Sequence, residues 1–360
     1  MFLYIRFNAQ EANFAEKVNS LFPGFVIDGP ILEYYKAKFT QVLVRTKKEF
    51  IVDPHTFDFT SEKRSHNLYS QKIGGKIDIH ELSDEDRTIF TTAAIAFQEN
   101  RINEVIEEDP IDEISDKFYP LFLVPPYDVI NEIGNITSNI SFIIETRKIR
   151  PTAKIYAALL LSKELLIQKK SLLEILQVYL KQNVDGYCFS VDSFDAYADA
   201  QEYLEGYKFL IEELAKNGKP IISLHGSFYD ILLGKSILHA IVHGVDSGDI
   251  LRLHKPQFGR RQFTRLYIPK LHKRYSGAEL DYIKKNAPEL IECSCGFCKK
   301  DMKREDEIIH YIACRTMEIN GAKSSNQLEE LKATYRIYNK KIGLAVYVKY
   351  LERWINVLTK

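Results

Sequence analysis

"DGYCFSVDSFDAYADAQEYLEGYKFLIEELAKNGKPIISLHG", residues 185–226, holds the pattern that decides the fold. "DGYCFSVD" is a short apolar run rich in aromatic and β-branched residues, which predicts a strand. "DAQEYLEGYKFLIEELAKNG" repeats apolar residues at three- and four-residue spacing and ends at Gly218, which predicts a helix with a glycine stop. "KPIISLHG" then reads as a second strand. Strand, helix, strand in about forty residues is a βαβ unit, and such units build parallel sheets.

The alternation continues on both sides. Upstream, "QVLVRT" (41–46), "EFIVDP" (49–54), "NISFIIET" (139–146) and "AKIYAALLL" (153–161) read as strands, and "YPLFLVPP" (119–126) as a strand halted by two prolines. "DEDRTIFTTAAIAFQENRINEVIEE" (84–108) and "SLLEILQVYLKQNV" (171–184) read as helices, as does "SILHAIVHG" (236–244) downstream. The number of units and the 360-residue length predict an α/β fold, a (β/α)8 TIM barrel, with an open doubly wound sheet as the alternative. Past residue 280 the text turns to cysteines, charge and helices. The expected division is a barrel with N-terminal strands over 1–280 and a zinc-binding subdomain with C-terminal helices over 281–360.

Composition is that of an ordinary globular chain, 45% hydrophobic and 27% charged. No apolar run reaches membrane-spanning length, and the start, "MFLYIRFNAQ", lacks a signal-peptide core. A cytoplasmic protein with no membrane partner is expected, and an odd count of five cysteines argues against a disulfide framework. The net charge of zero conceals an asymmetry. Residues 251–360 carry 23 Lys+Arg against 12 Asp+Glu, and from Ile250 to Ala278 eight basic side chains stand without one acidic residue. Such a one-signed stretch suits a phosphate polymer.

"IECSCGFCKK" (291–300) places Cys293, Cys295 and Cys298 in C-x-C-x-x-C spacing, with His310 twelve residues on. Thiolates and imidazole favour zinc, and four such ligands make a closed structural site. Gly296 eases the knuckle turn, and "EDEIIHYIACRTMEI" reads as a helix that presents His310. Cys314 is an alternative fourth ligand; Cys188, in an apolar strand, reads as core. Two aspartates close strand-like runs where barrel chemistry sits. Asp53 is followed by the strand-stopping Pro54, and Asp249 lies in "HGVDSGD" just before the basic stretch. A carboxylate pair of this kind serves glycosidic-bond chemistry, one as nucleophile and one moving protons.

Taken together, "HGVDSGDILRLHKPQFGRRQ" followed by C-x-C-x-x-C and His resembles the guanine transglycosylase superfamily, and "NVDGYCFSVDSFD", "GKPIISLHG" and "FIVDPHTF" are similar to further segments of it. The resemblance implies base exchange through a covalent aspartyl–sugar intermediate. It makes Asp249 the nucleophile, Asp53 the general acid/base, and Cys293, Cys295, Cys298 and His310 the holders of structural zinc. Ser190, Val191, Leu224, His225 and Gly226 would line the base pocket, and Arg252, Arg260 and Arg261 would contact phosphates. This chain has "DPHTFD" where the bacterial tRNA-acting enzymes have "DSGGFQ", and "ILRLHKPQ" where they have "LPTR". No RNA-binding domain of the archaeal kind follows. These departures point to the branch that inserts a 7-deazaguanine base such as preQ0 into DNA, with tRNA as the alternative polymer and a non-catalytic nucleic-acid-binding subunit as the other alternative. The resemblance also implies an ATPase-like partner protein.

Overall fold

The computed structural model describes residues 1–7, 14–58, 64–75, 78–79, 81–108, 117–244, 250–253, 265–299, 302–322 and 326–360. Its centre is an eight-stranded, all-parallel sheet. In chain order the elements are β1 (Phe2–Arg6), β2 (Gly24–Asp28), α1 (Gly29–Tyr34), α2 (Lys36–Thr46), β3 (Glu49–Asp53), α3 (Arg64–Lys72), α4 (Asp84–Glu108), β4 (Val129–Ile130), α5 (Ile136–Ile149), β5 (Tyr156–Leu161), α6 (Lys169–Tyr179), β6 (Gly186–Val191), α7 (Gln201–Ala215), β7 (Ile221–Ser223), α8 (Phe228–Gly234) and β8 (Ala240–Gly244). β9 (Arg265–Ile268) and β10 (Lys273–Ser276) form an antiparallel hairpin, followed by α9 (Gly277–Asn286), α10 (Arg304–Ala322), α11 (Gln327–Tyr338) and α12 (Ala345–Leu358).

β1 pairs with both β2 and β8, so the first and last strands of the sheet's sequence are neighbours. The remaining gap, between β3 and β5, is bridged by the stretch ahead of β4. The Leu121 N–H donates to Phe50 O at 2.8 Å, and Leu123 bridges Ile155 in parallel. Pro120, Pro125 and Pro126 limit regular pairing there, which explains why this stave is irregular. The result is a TIM-barrel architecture.

Alternation along each strand separates two apolar sets. Tyr4, Val26, Ile51, Phe122, Tyr156, Ala158, Cys188, Ile222 and Val242 fill the barrel. Their neighbours, among them Ile5, Phe25, Val52, Leu159, Phe189 and Ile241, pack outward against the helices. Because both faces are buried, the strands read as continuous apolar runs. That ambiguity accounts for three corrections. "SILHAIVHG" contains β8, every residue of which is buried, and not a helix. "QVLVRT" belongs to α2, whose buried Phe39, Val42, Leu43 and Thr46 follow helical spacing. "NISFIIET" belongs to α5, with Asn139, Phe142, Ile143 and Thr146 buried on one face.

α10 packs on β1 and α8, the place of a barrel's eighth helix, and α12 packs on α7. Ile312 of α10 and Trp354 of α12 join the same core as the barrel wall. The division expected at 280/281 falls inside α9. Among the described residues no helix is long and apolar enough to cross a membrane.

Candidate active site and thiol cluster

The barrel's interior rows end in polar residues at the carboxyl ends of the strands. Two positions beyond Tyr4 is Arg6; beyond Val26, Asp28; beyond Ile51, Asp53; beyond Cys188, Ser190. Asp28 and Asp53 are direct partners across β2 and β3. Arg6 pairs with Asp28, reaches Asp53 Oδ2 with both terminal nitrogens at 3.4 Å, and donates to Leu224 O at 3.2 Å. Asp53 is only 2% exposed. Its Oδ1 accepts the Tyr127 hydroxyl at 2.6 Å and the His55 backbone N–H at 3.1 Å. Burial opposes the charge on Arg6, but Asp28 and Asp53 outweigh it and raise its pKa above the ordinary value. Burial and then the Asp53 charge push the Tyr127 hydroxyl well up, so it remains a donor.

His55 adopts a left-handed backbone (φ 52°) just past Pro54, and its ring lies 4.2 Å from that of Phe57. Its Nδ1 is buried with no hydrogen-bond partner among the described residues, and burial lowers its pKa, which favours the neutral ring. Asp28, Asp53 and His55 bring three potential metal-donor atoms together. Arg6 already supplies the positive charge between the two carboxylates.

Of the expected pocket residues, Ser190, Leu224, His225 and Gly226 gather at the same mouth. Ser190 Oγ and His225 Nδ1 share a hydrogen bond at 2.8 Å, and Gly226 N–H donates to Val242 O at 3.1 Å. A Cβ on Gly226 would stand 2.2 Å from Ile241, so glycine is required by close packing. Val191 turns its side chain outward into the wall core. Residues 251–253 return to the end of β6: Ser193 N–H donates to Leu251 O at 2.7 Å and Leu253 N–H to Asp192 Oδ1 at 2.9 Å. Arg252 is exposed there. Asp249, Arg260 and Arg261 lie outside the described residues; β8, which leads to Asp249, ends at Gly244.

Arg6, Asp28, His55 and Tyr127 escaped the sequence reading. The available signal was a polar residue two positions after an interior apolar one, in "YIR" and "VID", but neither run was read as a strand.

Cys293, Cys295, Cys298 and His310 do converge, with their four donor atoms all within 4.8 Å of one another. Cys295 Sγ lies 3.5 Å from Cys298 Sγ, and His310 Nδ1 lies 3.2, 3.3 and 3.9 Å from Cys295, Cys298 and Cys293. Metal–sulfur bonds of about 2.3 Å in a tetrahedron place sulfurs about 3.8 Å apart, so the donors have room for a metal ion at their centre. Gly296 takes φ 80° in the knuckle, and Cys295 and Phe297 donate N–H bonds to Cys293 and Cys295 Sγ at 3.3 and 3.4 Å. The His310 Nε2–H donates to Tyr267 O at 2.8 Å, which fixes the tautomer and turns the Nδ1 lone pair to the thiols. Burial lowers the His310 pKa, which suits a neutral ligand. Burial, then the Cys295 thiol, pushes Cys298 up to about 12, so a metal must displace protons to bind. Cys314 stands at the edge of the group, its Sγ 3.5 Å from Cys293 Sγ and 3.6 Å from His310 Nδ1.

No family model and no curated protein matches the chain. Among solved structures it is similar to xylanase XynB from Paenibacillus barcinonensis, with a TM-score of 0.40 and 9% identity over 68% of this chain and 84% of that one. It is also similar to the N-terminal endo-1,4-β-D-xylanase 10B of Clostridium thermocellum, with a TM-score of 0.39 and 9% identity over 70% of this chain and 59% of that one.

Proposed function

We propose that this chain exchanges guanine in DNA for a 7-deazaguanine base and carries one structural zinc. The observation that carries the reading is the buried Asp53, anchored at the barrel mouth by Tyr127 and by Arg6, which also bonds Leu224 O next to the Ser190-paired His225. β8 ends at the same mouth five residues before Asp249, and the four-donor cluster follows later in the chain, as in the sequence pattern of the guanine transglycosylases.

In this reading Asp249 attacks C1′ of a guanosine nucleotide. The C1′–N9 bond breaks, a pocket acid delivers a proton to N9 of the leaving guanine, and a covalent aspartyl–sugar ester remains. The incoming 7-deazaguanine gives its N9 proton to Asp53 and attacks C1′, which releases Asp249. Arg6, Tyr127 and the His55 backbone N–H all donate to Asp53, which fixes its carboxyl group at the barrel mouth for this second half. On duplex DNA the target guanine leaves the stack at a cost of about a few kcal/mol, a task for an ATPase-like partner. Arg252, Arg260 and Arg261 would track phosphates, which positions the polymer without reading sequence. Zinc would be held by Cys293, Cys295, Cys298 and His310, and with all four positions filled by protein it serves the fold.

The test incubates the chain, with and without a partner ATPase, with labelled preQ0 and either duplex DNA or unmodified tRNA. Label in DNA, lost in Asp249→Asn, is the expected result. Label in tRNA alone transfers the reading to that polymer. Label in neither, with both polymers bound, refutes catalysis.

A further inference from the structure

We propose that Cys314 makes the thiol cluster peroxide-sensitive: Cys293, once oxidised by a peroxide, is captured by Cys314 as a disulfide, and the cluster gives up its metal. The inference rests on the reading that the cluster holds a metal, and on no assumption about the reaction at the barrel mouth.

Four donors close a tetrahedral site. The mutually close set is Cys293, Cys295, Cys298 and His310. Cys314 is not in it, yet it follows His310 by one helical turn on α10 and touches the Cys293–His310 edge. A sulfur that bonds no metal keeps its lone pairs for attack even when the site is full. Cys314 is 2% exposed and sheltered from direct oxidation, whereas Cys293 is half-buried and Cys298 exposed, both within reach of a small oxidant; of these two, Cys293 is the one with the non-ligand Cys314 sulfur at 3.5 Å. The first step moves two electrons from the Cys293 thiolate to the peroxide: an S–O bond forms, the O–O bond breaks, and hydroxide leaves. In the second, Cys314 sulfur attacks the Cys293 sulfenic sulfur. An S–S bond forms, the S–O bond breaks, and water leaves with the thiol proton. The two sulfurs, 3.5 Å apart, close to about 2.05 Å by side-chain torsion. The ligating form of cysteine is the thiolate, so the disulfide removes one of four ligands and loosens the metal. Cys295 and Cys298 are equally close to each other, but both are ligands, and neither offers a free sulfur while metal is bound.

The experiment uses the full chain. Zinc content is measured first; hydrogen peroxide is then added, released zinc is followed with a chromophoric chelator, and disulfides are mapped by non-reducing peptide mass spectrometry. The expected result is one zinc per chain before treatment, then release in step with a Cys293–Cys314 crosslink, reversed by dithiothreitol and added zinc. Cys314→Ala should purify with zinc and release it at least tenfold more slowly. A Cys295–Cys298 crosslink in its place, release from Cys314→Ala at the wild-type rate, or loss of zinc from that variant before any oxidant overturns the proposal. Mapping of the wild-type chain decides alone if the variant does not fold. A chain that purifies without metal defeats the metal reading and this inference with it; a zinc-bearing chain that never forms the crosslink defeats only the inference.

Discussion

Replacing Arg6 by methionine isolates the ionic core of the barrel mouth. Methionine keeps the apolar stem and deletes the guanidinium that pairs with Asp28 and Asp53 and bonds Leu224 O. Asp53, 2% exposed, then retains only the Tyr127 hydroxyl and the His55 N–H among its observed donors. Removing one partner of a buried ion pair costs about 3–5 kcal/mol, because the other charge stays buried without compensation. At about 2.1 cal/mol/K per residue, the 360-residue chain unfolds with an entropy of about 0.76 kcal/mol/K, so a loss of about 4 kcal/mol lowers Tm by about 5 °C. Asp53→Asn keeps an acceptor for Tyr127 and His55 and leaves Arg6 paired with Asp28, so it should cost less, about 1.5–3 kcal/mol. The double variant no longer buries an unpaired Asp53 carboxylate, and its cost should fall short of the sum by about 0.5–3 kcal/mol. Scanning calorimetry of the four proteins supplies the cycle. Additivity within about 0.5 kcal/mol would show that Arg6 and Asp53 do not interact, which refutes the ionic contact at the barrel mouth.

Three further expectations are independent of that cycle. Cys295→Ser should purify without its metal and melt earlier than the wild type, since metal affinity in such sites is folding energy; a full complement of zinc by elemental analysis contradicts this. Burial lowers the pKa of His55, and burial together with the nearby N-terminus and Lys154 charges lowers that of His239. The unfolded chain therefore binds protons more readily than the folded one below the unfolded value of about 6.5, and stability should fall as pH drops through 6.5 towards 5. His55→Asn, which tolerates the left-handed backbone, should flatten part of that acid limb in urea titrations at pH 5 and 7; an unchanged limb removes His55 from the account. Gly206→Ala would set a Cβ 2.0 Å from Leu166 O, where α7 crosses the segment leading into α6. Separation of the two should cost about 1–3 kcal/mol, and a melting point equal to the wild type would disprove that contact.

How much of this could be read in advance depended on the range over which each signal acts. The Cys293–Cys298 knuckle is local, and its spacing with His310 was legible because one turn and one helix determine where four donors meet. The strands at 156–161 and 186–191 were legible for a similar reason: six consecutive buried residues between turn-forming segments. "QVLVRT" and "NISFIIET" misled because β-branched residues in a short window satisfy both periods, and only the neighbouring buried Phe39 and Ile136 settle them as helical. The mouth was the least legible part. Arg6 meets Asp53 and Leu224 across 47 and 218 residues of chain, and no window of sequence contains that meeting. Even so, a physical rule would have exposed it. A buried parallel strand that ends on a polar residue of interior parity sends that residue into the barrel mouth, where its charge needs a partner. Arg6, Asp28 and Asp53 each satisfy the rule, on three adjacent strands, and their charges have one another as the nearest compensation. The carboxylate chosen from sequence as a reactive group therefore also acts as a counter-ion in the barrel. Any chemistry at Asp53 is set against the structural demand of Arg6, and the double-variant cycle measures that demand separately from the exchange assay.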